Sequence, residues 1–232
     1  SEVGRASVVT NSKTHEKKII YHPKVLPSVV ICDPELTIGM PQFITAGSGL
    51  DAFAHCVEAF SSPHYHPMGQ GIAVEGMKLV IENLQKAYEI PNNIEARANM
   101  MSAALMGATA FQKGLGAIHA LSHPIGAHFN THHGTTNAVL MPAVLQLNAP
   151  VIKERFDQVA GYLGLSGGFT GFCKFVDNLN NSFSIPKTLS GLGIPELDIE
   201  ILVKGALSDP SCGGNPIPLS GENLRSILVS LA

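Results

Sequence analysis

Beyond Asp33-Pro34 the apolar residues of this chain recur every three to four positions, and the β-branched runs that precede that point become scarce. A spacing of that kind, held to the last residue, predicts a mainly α fold. The expected architecture is an all-α multi-helix domain over 34–232, preceded by a short β segment over 1–33. Three strands are predicted in the front segment, ASVVT (6–10), KKIIY (17–21) and SVVIC (28–32), separated by polar or Pro-containing turns. Behind it, Ile72, Leu79, Val80, Leu84 and Ala87 form one stripe of a helix over Met68 to Tyr88, with Pro91 as a stop. Glu95 to Phe111 carries Ala, Met, Ser and Gly on all sides, which predicts a central, closely packed helix. Pro150 is expected in a first helical turn followed by Val151, Ile152, Phe156, Val159, Ala160 and Leu163, and a last helix from near Ser220 presents Leu224, Ile227, Leu228 and Leu231. The Gly-rich pieces 165–171 and 211–216 read as connections.

The charge balance rules out several partners. Fifteen Lys plus Arg against 18 Asp plus Glu give a net charge of −3, which builds no field for nucleic acid or an anionic membrane. Only 14% of the residues are charged and none is Trp, so much of the chain is expected to lie against protein, either its own core or a partner's, and a homo-oligomer is expected. Cys32, Cys56, Cys173 and Cys212 form no CxxC pair, which suggests neither a disulfide framework nor a zinc ribbon and fits a reducing cytoplasm. No apolar run approaches the roughly 18 residues that span a bilayer.

Chemistry concentrates in two histidine-bearing segments. In GSGLDAFAHCVEAF, Asp51 and His55 are four apart on a helix expected to begin after the glycines, so both project from one face, a single turn apart. In GAIHALSHPIGAHFNTHHG, His119 and His123 form a second such pair, and His133 follows across an expected helix end and turn. One carboxylate and several imidazoles suit a divalent first-row metal such as Fe(II) or zinc, whereas Ca and Mg prefer oxygen alone. Ligand type does not separate iron from zinc. His132 reads as structural or exposed, and His64, His66 and His128 as ordinary residues.

GLDAFAHCVEA, EARANMMSAALMGATAF and GAIHALSHPIGAHFNTHHGTTNAVLMP, together with DPELT (33–37) and GGNPIPLS (213–220), closely resemble the iron-containing (group III) alcohol dehydrogenase family. The resemblance covers nearly the whole chain and implies a ligand set of Asp51, His55, His119 and His133 for Fe2+, with Zn2+ as the alternative. It implies a role for His123 beside the substrate and nicotinamide, where it relays a proton, and a cofactor-facing role for Lys17 or its neighbour Lys18. The implied reaction is hydride transfer between a primary or secondary alcohol, or the aldehyde or ketone, and NAD or NADP, with the cation as Lewis acid.

No GxGxxG turn between a strand and a helix is present in 1–33. Relatives carry an α/β nucleotide domain ahead of this segment that ends in a GTGSEV-like loop, and Ser1-Glu2-Val3 resembles the tail of that loop. The expectation is therefore a cofactor-domain remnant over 1–33 and a metal-binding domain over 34–232, completed by a nucleotide-binding domain or by oligomerisation. Two other readings stand beside it. A cyclase resembling dehydroquinate synthase shares the two-domain plan but uses a Glu and two His, which the DAFAH helix does not match. A non-catalytic metal-binding or oligomerisation module is the other.

Overall fold

A computed structural model describes residues 3–4, 6–12 and 17–232, with the backbone alone at 6, 10, 17 and 21. In the front segment, β1 (Ala6–Thr10) and β2 (Lys17–Tyr21) pair antiparallel, Ala6 opposite Tyr21 and Thr10 opposite Lys17. The third expected strand is not formed. Residues 28–32 have no neighbouring ladder among the described residues, so Val29 and Ile31 stand 74% and 86% exposed despite their β preference. Asp33 then caps a 3-10 turn over Pro34–Thr37, its Oδ1 accepting the Glu35 N–H, and the helical body follows.

Helix α1 (Gln42–Ser61) is the axis of that body, buried on nearly every side from Thr45 to Ser61. It begins ahead of Gly47 and Gly49 rather than after them, because those glycines serve close helix contact inside α1 and do not break it. Its last carbonyls are held by two cations. Lys113 Nζ donates to Ala59 O at 2.8 Å and Ser62 O at 2.6 Å, and Arg155 donates to Phe60 O at 2.7 Å, which answers the negative end of the helix dipole.

Around α1 pack α2 (Pro67–Glu89), which the apolar stripe foretold to within a residue at each end, and α3 (Ile94–Ala110). The small residues of α3 do meet their neighbours closely, but only through one face bearing Ala96, Ala103, Gly107 and Ala110. The centre belongs to α1, and the outer positions of α3 stay half-exposed. Helix α4 (Ala117–Phe129) ends at Asn130 in the left-handed region, φ 52°, and three residues later α5 (His133–Ala160) begins.

Pro150 lies inside α5 and starts no helix. Proline removes an N–H and costs a helix about 3 kcal/mol unless the carbonyl it frees finds another donor. At Pro142, the other proline of α5, that donor is visible: Asn180 of α6 (Gly168–Ser182) gives its Nδ2–H to Ala138 O at 2.8 Å. Core packing on both flanks of Pro150, by Leu145 on one side and Ile152 and Phe156 on the other, holds α5 continuous. Phe156 packs on Phe172 at 4.5 Å and on Phe60 at 5.0 Å, tying α5, α6 and α1 together. Helices α7 (Ile199–Leu207) and α8 (Gly221–Ser230) complete the body, the last one with a capping box between Ser220 and Asn223.

Replacing Asn180 with Leu leaves the Ala138 carbonyl buried without a donor. Urea unfolding is expected to show a loss of about 1–3 kcal/mol, and an unchanged midpoint would mean that the proline break in α5 needs no such partner.

Candidate metal centre

The crossing of α1 and α5 decides which side chains meet. A Cβ on Gly134 would stand 1.9 Å from Gly47 O and 3.0 Å from Asp51 Cβ, so only glycine lets the start of α5 lie against α1. That contact sets His133, the first residue of α5, beside Asp51, one helical turn beyond Gly47. His132, on the exposed rim of this contact, packs its ring against Gly47 and caps α5, its Nδ1 accepting the Thr135 N–H.

Asp51, His119 and His133 each offer one ligand atom, and these atoms all lie within 4.8 Å of one another. Asp51 Oδ1 is 3.6 Å from His119 Nε2 and 3.4 Å from His133 Nε2. His55 stands beside this group rather than within it. Its ring stacks on that of His119 at 4.6 Å, and its Nδ1 is 4.0 Å from Asp51 Oδ2. The set is closed on one side and open on the other, since the His119 side chain is 1% exposed while Asp51 and His133 are 25% and 32% exposed.

Three side chains that the sequence did not single out surround these donors. Glu58, two turns along α1 from Asp51, accepts the His119 Nδ1–H at 2.7 Å through Oε2 and the Ile118 N–H at 2.6 Å through Oε1. Asn137, one turn after His133, donates Nδ2–H to Asp51 Oδ1 at 2.7 Å and lies 3.3 Å from both His Nε2 atoms. Asp209 accepts the His123 Nδ1–H at 2.7 Å. Helical spacing from Asp51 and His133 was the available signal for Glu58 and Asn137; Asp209 sits in a 3-10 connection where spacing carries none. His123 itself lies flat against His133, ring centres 5.5 Å apart and planes 12° apart, outside the donor group but touching it.

The electrostatics follow from burial and these pairs. Burial opposes ionisation of Asp51, yet His55, His119 and His133 together hold its carboxyl far below the usual range. Burial pushes His55 down to about 4, against the pull of Asp51. Burial also opposes charge on His119, but hydrogen bonds to Asp51 and Glu58 outweigh it and lift the ring to about 9. Burial opposes charge on Asp209, but the hydrogen bond and charge of His123 together with hydrogen bonds from Ser211 lower the carboxyl.

Converging oxygen and imidazole donors around a low-pKa carboxylate fit a divalent first-row cation. One buried atom points the same way: Asn137 Oδ1 has no hydrogen-bond partner, because the amide is turned to bring its nitrogen to Asp51. By contrast, a recess of about 590 Å³ lined by Phe60, Tyr65, Val74, Val159 and Tyr162 includes none of these donors. Lys17 is placed in β2 by its backbone, and its side chain lies outside the described residues, as do Ser1 and Glu2.

Residues 45–232 match the profile of the Fe-containing alcohol dehydrogenase family, C-terminal. The chain belongs to that family. It is 37% identical to a 4-hydroxybutyrate dehydrogenase of Cupriavidus necator over 98% of this chain and 62% of the relative. Among solved structures it superposes on a 1,3-propanediol oxidoreductase with a TM-score of 0.94 and 33% identity, covering 100% of this chain and 63% of that one. It is similar too to a sulfoacetaldehyde reductase from Bifidobacterium kashiwanohense solved in complex with NAD+, with a TM-score of 0.90, 28% identity, and coverage of 99% and 61%. The chain thus spans about three-fifths of the length of the iron-type dehydrogenases it matches.

His119 contributes stability in full below pH 6.5, and that contribution is lost as pH rises through about 9. His55, buried in its neutral form, costs stability as pH falls from 6.5 through about 4. Denaturant unfolding in the presence of a chelator is therefore expected to peak near pH 6.5 and decline toward both pH 4 and pH 9. A flat profile across that range would contradict these assignments.

Proposed function

We propose that this chain forms the metal-binding part of an NAD(P)-dependent alcohol dehydrogenase, with Asp51, His55, His119 and His133 holding one divalent ion. The observation that carries this reading is the convergence of donor atoms from Asp51, His119 and His133. His55, stacked on His119 and on the same helix face as Asp51, is the proposed fourth ligand. Iron is the assigned metal on the strength of the family, with zinc as the alternative. When bound, such an ion supplies Lewis-acid polarisation of an alcohol or carbonyl oxygen.

The side chains around it divide the remaining work. Asp51 and His133 line the exposed side, where a small alcohol or aldehyde approaches. A 4-hydroxybutyrate dehydrogenase, a 1,3-propanediol oxidoreductase and a sulfoacetaldehyde reductase are among the relatives, and short hydroxy compounds or their aldehydes are the proposed substrate class here. His123 is the proposed proton relay: Asp209 holds its Nδ1–H, which leaves Nε2 to take or give a proton. The hydride partner is a nicotinamide, NAD or NADP, and Lys17 is the residue proposed to face it.

Residues 1–33 belong, in this reading, with the cofactor domain, and residues 34–232 form the metal-binding domain. The exposed Val29, Ile31, Leu36 and Phe43 are apolar surface that a nucleotide-binding domain or a second copy would cover. None of the described helices is long and apolar enough to cross a membrane, and all four cysteines are free thiols, which fits the proposed cytoplasmic setting.

Metal analysis of the purified, iron- or zinc-loaded chain is expected to give about one ion per chain. Asp51→Ala and His133→Ala are each expected to retain less than about a tenth of it. A wild-type chain that holds no ion after loading would end this reading.

A further inference from the structure

Glu58 is a buried carboxylate, 4% exposed, whose one ion-pair partner among the described residues is His119. Both its oxygens are used. Oε1 takes the Ile118 N–H at the start of α4, and Oε2 takes the His119 Nδ1–H. Gly116 leaves room for this, since a Cβ there would stand 3.1 Å from Oε1. Burying a carboxylate so completely is costly unless its partners are well placed. A role confined to seating α4 would need only one acceptor oxygen.

We propose that Glu58 is a positioning residue of the metal centre: by holding a proton on His119 Nδ1 it makes Nε2, which faces Asp51 and His133, the nitrogen that gives up its proton to a cation. The inference rests on the metal reading above and names a residue outside the ligand set. The ring of a ligating histidine is fixed by whatever its second nitrogen bonds, and losing such a partner lowers metal affinity by about 10- to 100-fold.

Glu58→Gln separates this role from seating the helix. The Ile118 N–H is always a donor, so the new amide must turn its oxygen to Ile118 and its NH2 to His119. Nδ1 then has to accept, and the ring proton moves to Nε2, the atom aimed at Asp51. The variant keeps the α4 contact and presents the wrong face of His119 to the ion.

Two measurements on the full chain test it. Chelator-competition titration with Zn2+ is expected to show the dissociation constant of Glu58→Gln raised by about 10- to 100-fold, with a thermal midpoint close to wild type. Nitrogen-edited proton NMR is expected to show an exchange-protected Nδ1–H on His119 in wild type, missing in Glu58→Gln. Equal zinc affinities, or an Nδ1–H that persists in the variant, would overturn the proposal. If wild type binds no zinc, the metal reading fails while the NMR result still decides what Glu58 does. Should Glu58→Gln not fold, a wild-type His119 with no protected Nδ1–H overturns the proposal by itself.

Discussion

Asp51 and Glu58 put two carboxylates on one side of a helix whose other surfaces are packed into apolar core, and the surrounding structure answers that charge. An isolated buried carboxylate is too costly to keep ionised, so each must meet donors or positive charge. Glu58 meets a backbone N–H and a histidine, and Asp51 meets an asparagine amide and two histidines. Once His119 gives up its Nε2 proton, the two carboxylates carry −2, the charge a divalent cation offsets. The constraint reaches well beyond the donors. Gly134 has to be glycine for α5 to approach α1, and the last carbonyls of α1 are tied down by Lys113 and Arg155.

The parts of the fold governed by local periodicity were readable from the chain. The stripe through Ile72 to Ala87 located α2, and Leu224, Ile227, Leu228 and Leu231 located α8, because an amphipathic face is written in neighbouring residues. Where tertiary contact overrides local preference, reading failed. Residues 28–32 have the composition of a strand and no partner to pair with; Pro150 looks like a helix start and sits in mid-helix; Gly47 and Gly49 look like a break and are a contact surface.

The candidate site shows the same division. Asp51, His55, His119 and His133 could be picked out because four-residue spacing puts pairs on one helix face, and the family resemblance selected among them. The structure draws three of them into one group and leaves His55 stacked alongside. Glu58 and Asn137 were signalled only by their helical spacing from Asp51 and His133, and Asp209 by no local pattern, while the hydrogen bonds that give all three their roles span 18 to 86 residues of sequence. Side chains that orient ligands are chosen by three-dimensional proximity, which a single sequence does not spell out.

X-ray absorption fine structure of the cobalt- or zinc-loaded chain addresses the central claim most directly, because it reads the donors from the ion outward. The predicted result is one site with a first shell of nitrogen and oxygen at about 2.0–2.2 Å, and the multiple-scattering signature of about three imidazoles. A shell of water oxygens alone, or one containing sulfur, would contradict the assignment of Asp51, His55, His119 and His133 as its ligands.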